Sequence, residues 1–168
     1  MDVDGVMTRG GIILGSRGFE MKIFDVQDGM GVTLARMGGL KTGIITGRQS
    51  DVVRRRAEEL RMDVIVQGRP DKLPAFEDIL DKHRLQQDQV AYIGDDLLDR
   101  NLLIRAGLAV APANARPEIR RAAHYITRSS GGCGAVREVV EMILKFQNTW
   151  KRVVNQVYMH SLDKGSGT

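Results

Sequence analysis

The chain has one cysteine, Cys133, and four prolines, and aromatic residues make up only 5% of it. A lone cysteine excludes a disulfide framework and a cysteine-based zinc site. With aromatics so sparse, and Trp150 and Tyr158 set apart near the C-terminus, no platform exists on which nucleic-acid bases would stack. No apolar run reaches the ~18 residues of a membrane-crossing helix. The first residues lack the basic-then-apolar pattern of a secretory leader, so a reducing cytoplasm is the expected compartment. The three histidines, His83, His124 and His160, are scattered, which argues against a histidine-centred mechanism.

What is present describes one soluble domain. The 168 residues are 42% hydrophobic and 27% charged, close to the average globular composition. That length buries a core without a covalent or metal staple. The formal charge is +4, but residues 145–168 hold four basic side chains and one acid, so residues 1–144 are nearly neutral. The positive balance belongs to the tail, and neither a nucleic-acid nor a membrane partner is expected. Arg54-Arg55-Arg56 reads as a solvated helix face rather than a binding patch.

Short β-type runs alternate with helical patterns through the middle of the chain. Strands are expected at Lys41–Thr46, Asp63–Val66, Val90–Ile93, Leu108–Ala111 and His124–Ile126. Helices are expected at Ser50–Leu60, Lys72–His83, Leu97–Ala106, Pro117–Ala123 and Gly134–Phe146. This rhythm implies βαβ units: a single α/β, Rossmann-like domain with a central parallel sheet flanked by helices. Residues 10–24 depart from it. Apolar runs on either side of Gly15-Ser16-Arg17-Gly18 signal a β-hairpin, placed to serve as a flap. The expected organisation is a domain over residues 1–146 and a C-terminal tail over 147–168, with Gly165–Thr168 mobile.

Four polar motifs fall at or just after expected strand ends. They are Asp2-Val3-Asp4-Gly5, then Thr46-Gly47-Arg48, then Lys72, then Asp95-Asp96 with Asp99. In a parallel sheet ligands bind outside the carboxyl ends of strands, so these motifs converge. Carboxylates that close repel, and oxygen-only donors suit Mg2+, which also takes phosphate oxygens. The chemistry to expect is phosphoryl transfer. Asp2 serves as nucleophile and Asp4 as acid and then base, while Thr46 and Lys72 hold the transferring oxygens. Asp95 completes the metal shell, with Asp96 and Asp99 in support. Asp96 reads equally well as a helix cap. Arg48 is either a surface charge or a fork for a substrate carboxylate. Gly47 lies between these two binding residues.

These motifs, in this order, resemble those of the haloacid dehalogenase superfamily. Gly18–Phe24, Asp28-Gly29-Met30-Gly31, Gln67-Gly68 before Asp71-Lys72-Leu73, and Gly131–Glu138 narrow the resemblance. They are similar to the 3-deoxy-D-manno-octulosonate 8-phosphate phosphatase family, over roughly residues 1–146. The resemblance implies a magnesium-dependent sugar-phosphate phosphatase of lipopolysaccharide synthesis, with metal on Asp2, Asp95 and the Asp4 backbone carbonyl. It also implies a homotetramer whose hairpins pack together. A nonulosonate 9-phosphate phosphatase and a phospho-acceptor or scaffold without turnover remain open as alternatives.

Two departures stand out. A full apolar strand precedes the first aspartate in the family, whereas only Met1 precedes Asp2 here. Either the start is clipped relative to the native protein or the chain is a compromised version, and an in-frame apolar run upstream would distinguish the two. Cys133 also stands where relatives carry a basic residue associated with substrate.

Overall fold

The computed structural model describes residues 1–163, so Gly165–Thr168 lie outside the described residues. The alternating strands and helices of the sequence form two parallel ladders. Strand β3 (Gly43–Ile45) pairs with β4 (Val64–Val66), and β5 (Ala91–Ile93), β6 (Leu108–Ala111) and β7 (Tyr125–Ile126) form the other ladder. The chain's first residues join them. The Met1 nitrogen donates to Gly43 O, Met1 O accepts from Ile45 N, and Asp2 N donates to Ile93 O, each at 3.0 Å. Residues 1–3 thus occupy the central strand position between β3 and β5. They are too short to register as a strand, yet they carry its backbone bonds.

Side chains alternate across this sheet, as the period of 2 requires. Ile44, Ile93 and Val110 face one buried cluster, which also holds Val3, Val32, Val136 and Leu144. Ile45, Tyr92, Ala109 and Ala111 face the other, with Phe76, Leu102, Leu103 and Ile119. Helices therefore cover both faces. On the first lie α1 (Val26–Met37), α2 (Asp51–Glu59), α6 (Ala135–Phe146) and α7 (Trp150–Asp163). On the second lie α3 (Leu73–His83), α4 (Arg100–Leu103) and α5 (Pro117–Ala122). Among the described residues no helix is long and apolar enough to cross a membrane.

The hairpin pairs β1 (Ile13–Leu14) antiparallel to β2 (Glu20–Met21). Its turn, Ser16–Gly18, bends with Arg17 and Gly18 at positive φ. Ile13, Leu14, Phe19, Met21 and Ile23 all stay exposed on it.

Three elements differ from the sequence reading. The helix expected over Leu97–Ala106 is a 3-10 turn at Leu97–Asp99 followed by the single-turn α4. Asp99 turns inward there, so the segment cannot present one continuous apolar stripe. Helix α1 has no counterpart in the sequence reading because Gly29 and Gly31 spoil its propensity. A Cβ at Gly31 would sit 2.8 Å from Arg137 Cα, so the glycine lets α1 and α6 approach closely. Asp28 secures that approach by accepting from Gly134 N and Arg137 N at the start of α6, 3.2 and 3.0 Å away. Finally, the segment read as a tail carries α7, whose Val153 is fully buried and whose Trp150 packs on the core and meets Arg137 and Lys145.

Candidate active site

The polar residues meet at the carboxyl end of the sheet. Asp2 leaves the central position and is buried. Lys72, from the residue preceding α3, points back beneath it with 3% of its surface exposed. Its Nζ stands 2.8 Å from Asp2 Oδ1 and donates to Asp99 Oδ1 at 2.6 Å. Tyr92 on β5 sends its hydroxyl to the same Asp99 oxygen at 2.7 Å. The other Asp99 oxygen accepts from Asp95 N at 3.0 Å and Asp96 N at 3.3 Å. Asp99 therefore has four donors and no lone pair in need of another. Asp96 caps the 3-10 turn through Leu97 N at 2.7 Å, the bland of its two readings.

Two glycines make the crowding feasible. Gly5 has φ +98°, and a Cβ there would lie 2.0 Å from Asp95 Oδ2. A Cβ at Gly94 would lie 2.4 Å from the Asp99 Cβ. Any side chain at either position would push a carboxylate out of the cluster.

Oxygens of Asp2, Asp95 and Asp99 lie within 4.8 Å of one another. With Asp99 saturated, the cation-seeking groups are Asp2 and Asp95. Asp95 Oδ1 is buried without a hydrogen-bond donor, whereas the buried Asp2 Oδ1 has the Lys72 ammonium 2.8 Å away. Burial, with Asp2 and Asp99 close by, raises the Asp95 carboxyl to about 7. Burial and the nearby Asp99 also raise Asp2, against the pull of Lys72. Burial lowers the affinity of Lys72 for its proton, but Asp2 and Asp99 outweigh that and leave it raised. Burial and Asp99 likewise lift Tyr92 well above the phenol range, so it stays a donor. Two carboxylates this close, one with a bare buried oxygen, suit a hard divalent cation such as Mg2+.

The remaining expected residues fall at different distances from this centre. Thr46 is buried at the end of β3, one residue past the Ile45 N–Met1 O bond, and so sits beside Asp2. Gly47 follows it. Arg48 is exposed on the next loop and stands outside the bonded cluster. The Asp4 side chain meets Lys22.

Several participants escaped sequence reasoning. Tyr92 looked like one more apolar strand residue. Asn114 ties the loop after Asp4 to the glycine-rich segment, donating to Gly5 O at 3.1 Å and accepting from Gly131 N at 2.6 Å. That segment needs glycine, since a Cβ at Gly131 would meet Gly5 O at 1.8 Å. Cys133 lies in it, its sulfur accepting from Arg9 Nε at 3.0 Å. Lys22 gave no signal beyond its place in the hairpin.

Comparison with known proteins agrees with this geometry. A haloacid dehalogenase-like hydrolase family model matches residues 62–140. The 3-deoxy-D-manno-octulosonate 8-phosphate phosphatase of Yersinia pestis is 45% identical over 147 residues, covering 88% of this chain and 79% of that protein. The Escherichia coli K12 enzyme of the same name is 43% identical over the same length. The crystal structure of the Moraxella catarrhalis phosphatase, in complex with magnesium ion, phosphate ion and KDO, superposes with a TM-score of 0.90 at 43% identity. That match covers 93% of this chain and 90% of the other. The chain belongs to the 3-deoxy-D-manno-octulosonate 8-phosphate phosphatase family of haloacid dehalogenase-like hydrolases.

Proposed function

We propose that this protein is a Mg2+-dependent phosphatase that releases 3-deoxy-D-manno-octulosonate and inorganic phosphate from the 8-phosphate, a step of lipopolysaccharide synthesis. The carrying observation is the Asp2–Asp95 carboxylate pair, with a buried donor-free oxygen on Asp95, beside the Lys72 ammonium. Such a site offers two anionic groups to one cation and one cation to a phosphate.

Asp2 attacks phosphorus, and the bond from phosphorus to the sugar oxygen breaks. Asp4 protonates the departing alkoxide. It then takes a proton from the water that cleaves the aspartyl-phosphate. Lys72, held by Asp99, and the Thr46 hydroxyl bind the transferring oxygens, with Gly47 leaving its backbone accessible beside them. Asp2, Asp95 and the Asp4 carbonyl would hold Mg2+, which would supply charge to offset the repulsion between an anionic nucleophile and a phosphate. Asp96 and Asp99 shape the Asp95 loop. Arg48 is free of the cluster and available to the substrate carboxylate through its planar fork.

The exposed apolar hairpin supports a homotetramer, since Leu14 at 68% and Ile23 at 75% exposure are costly faces for a monomer. A cytoplasmic location accords with the lone cysteine.

The test is phosphate release from 3-deoxy-D-manno-octulosonate 8-phosphate and from a nonulosonate 9-phosphate, each with Mg2+ and with chelator. The expected result is Mg2+-dependent turnover with kcat/KM higher for the octulosonate. A reversed ratio moves the substrate to the nonulosonate, and no release from either leaves a scaffold without turnover.

A further inference from the structure

Lys22 plays no part in the reaction as written, yet its side chain is as deeply buried as that of Lys72. Its side chain has no exposed surface. Burying an ammonium costs several kcal/mol, roughly, unless it is paired with good geometry, so full burial calls for a reason.

Its partners supply one. Nζ lies 2.5 Å from Asp4 Oδ1 and 3.6 Å from Glu20 Oε1. Glu20 is itself anchored, because its Oε2 accepts from Ser50 Oγ at 2.6 Å. Ser50 is the N-cap of α2, and its backbone nitrogen donates to Gln67 Oε1 at 2.8 Å. A chain of polar contacts thus runs from Asp4 through Lys22 and Glu20 to the loops after β3 and β4. Against this, the Thr8 hydroxyl offers Asp4 only a long contact of 3.5 Å. The strong hold on the Asp4 side chain comes from the hairpin.

We infer that Lys22 is a positioning residue for Asp4. It fixes the carboxyl that the proposed reaction uses for proton transfer, and Glu20 fixes Lys22. The hairpin then does more than cover the site, since its second strand and the residue just after it hold the acid. This inference rests on the phosphatase reading above. Lys22 acts through Asp4 and does not touch the phosphoryl group.

The test uses two substrates that differ in their need for an acid. A sugar phosphate expels an alkoxide that must be protonated, whereas p-nitrophenyl phosphate expels a stable phenolate. The value of kcat/KM reports events only through leaving-group departure, so it isolates the acid step. For Lys22→Met the expected loss is ~10–100-fold on 3-deoxy-D-manno-octulosonate 8-phosphate, in line with general acid catalysis, and under ~3-fold on p-nitrophenyl phosphate. The loss should fall in kcat, and Lys22→Arg should recover part of it. Glu20→Gln, which keeps the Ser50 contact but drops the charge, should show the same selective loss at smaller size. It reads the effect even if Lys22→Met does not fold. Equal losses on both substrates would overturn the inference, as would a rise in KM with kcat unchanged. Wild-type protein inactive on both would remove the phosphatase reading, and this inference with it.

Discussion

Asp99 and Asp95 stand four residues apart around one turn, and the chain treats them oppositely. Asp99 is 1% exposed and receives donors from Lys72, Tyr92, Asp95 N and Asp96 N. Asp95 has a buried oxygen with no donor and a carboxyl raised to about 7. The same side chain is thus a finished structural joint in one place and an unfinished ligand in the other. Where the fold supplies every hydrogen bond, the carboxylate holds the site together. Where it withholds one, it leaves stability to be recovered from a bound cation.

The contrast can be broken by substitution. The largest effect belongs to Asp2, which shares the open side with Asp95. Asp2→Asn should cut phosphate release to below about 10⁻⁴ of wild type while circular dichroism and melting stay near native. Next comes the finished joint. Asp99→Ala leaves Lys72 with Asp2 alone, strands Tyr92 and two backbone N–H groups, and should cost ~3–5 kcal/mol in urea denaturation. Asp95→Asn should do the reverse, leaving the metal-free protein as stable as wild type or more so while abolishing its response to Mg2+.

The pH dependence sharpens the same comparison. The Asp95 carboxyl titrates near 3.8 when unfolded and about 7 when folded, so the metal-free native state holds a proton that the unfolded chain releases. Stability of the metal-free protein should therefore fall as pH rises from about 4 to about 7. Mg2+ removes that penalty. Its stabilising increment in thermal melts should be larger at pH 8 than at pH 5.5, by roughly 3–8 °C for ~1–2 kcal/mol of coupling. The smallest effect on folding belongs to the hairpin. Leu14→Ser with Ile23→Ser should shift stability by no more than about 0.5 kcal/mol, yet reduce the mass measured by light scattering below that of a tetramer.

Much of this was legible in the sequence, for physical reasons. Buried parallel strands are continuous apolar runs, so Gly43–Ile45, Val64–Val66 and Leu108–Ala111 stood out. Acids at their carboxyl ends followed from topology alone. The parts that stayed hidden depend on distant partners. Helix α1 tolerates Gly29 and Gly31 only because α6 and Arg56 press against it. Asn114 acts across more than 100 residues, on Gly5 O. Lys22 and Tyr92 acquire meaning only once the fold sets them against Asp4 and Asp99. The sequence reading already separated Asp95, as a metal ligand, from Asp99 in support, but not the four donors that make the difference.

The central claim is that Asp2, on the open side of the cluster, carries the phosphoryl group in the presence of Mg2+. It is tested most directly by rapid acid quench of a single turnover, followed by peptide mapping by mass spectrometry. The account predicts a transient phosphoryl group on the peptide bearing Asp2, absent with chelator and absent in Asp2→Asn. Phosphate release at the wild-type rate with no phosphoryl-protein, or with the group on another residue, would contradict it.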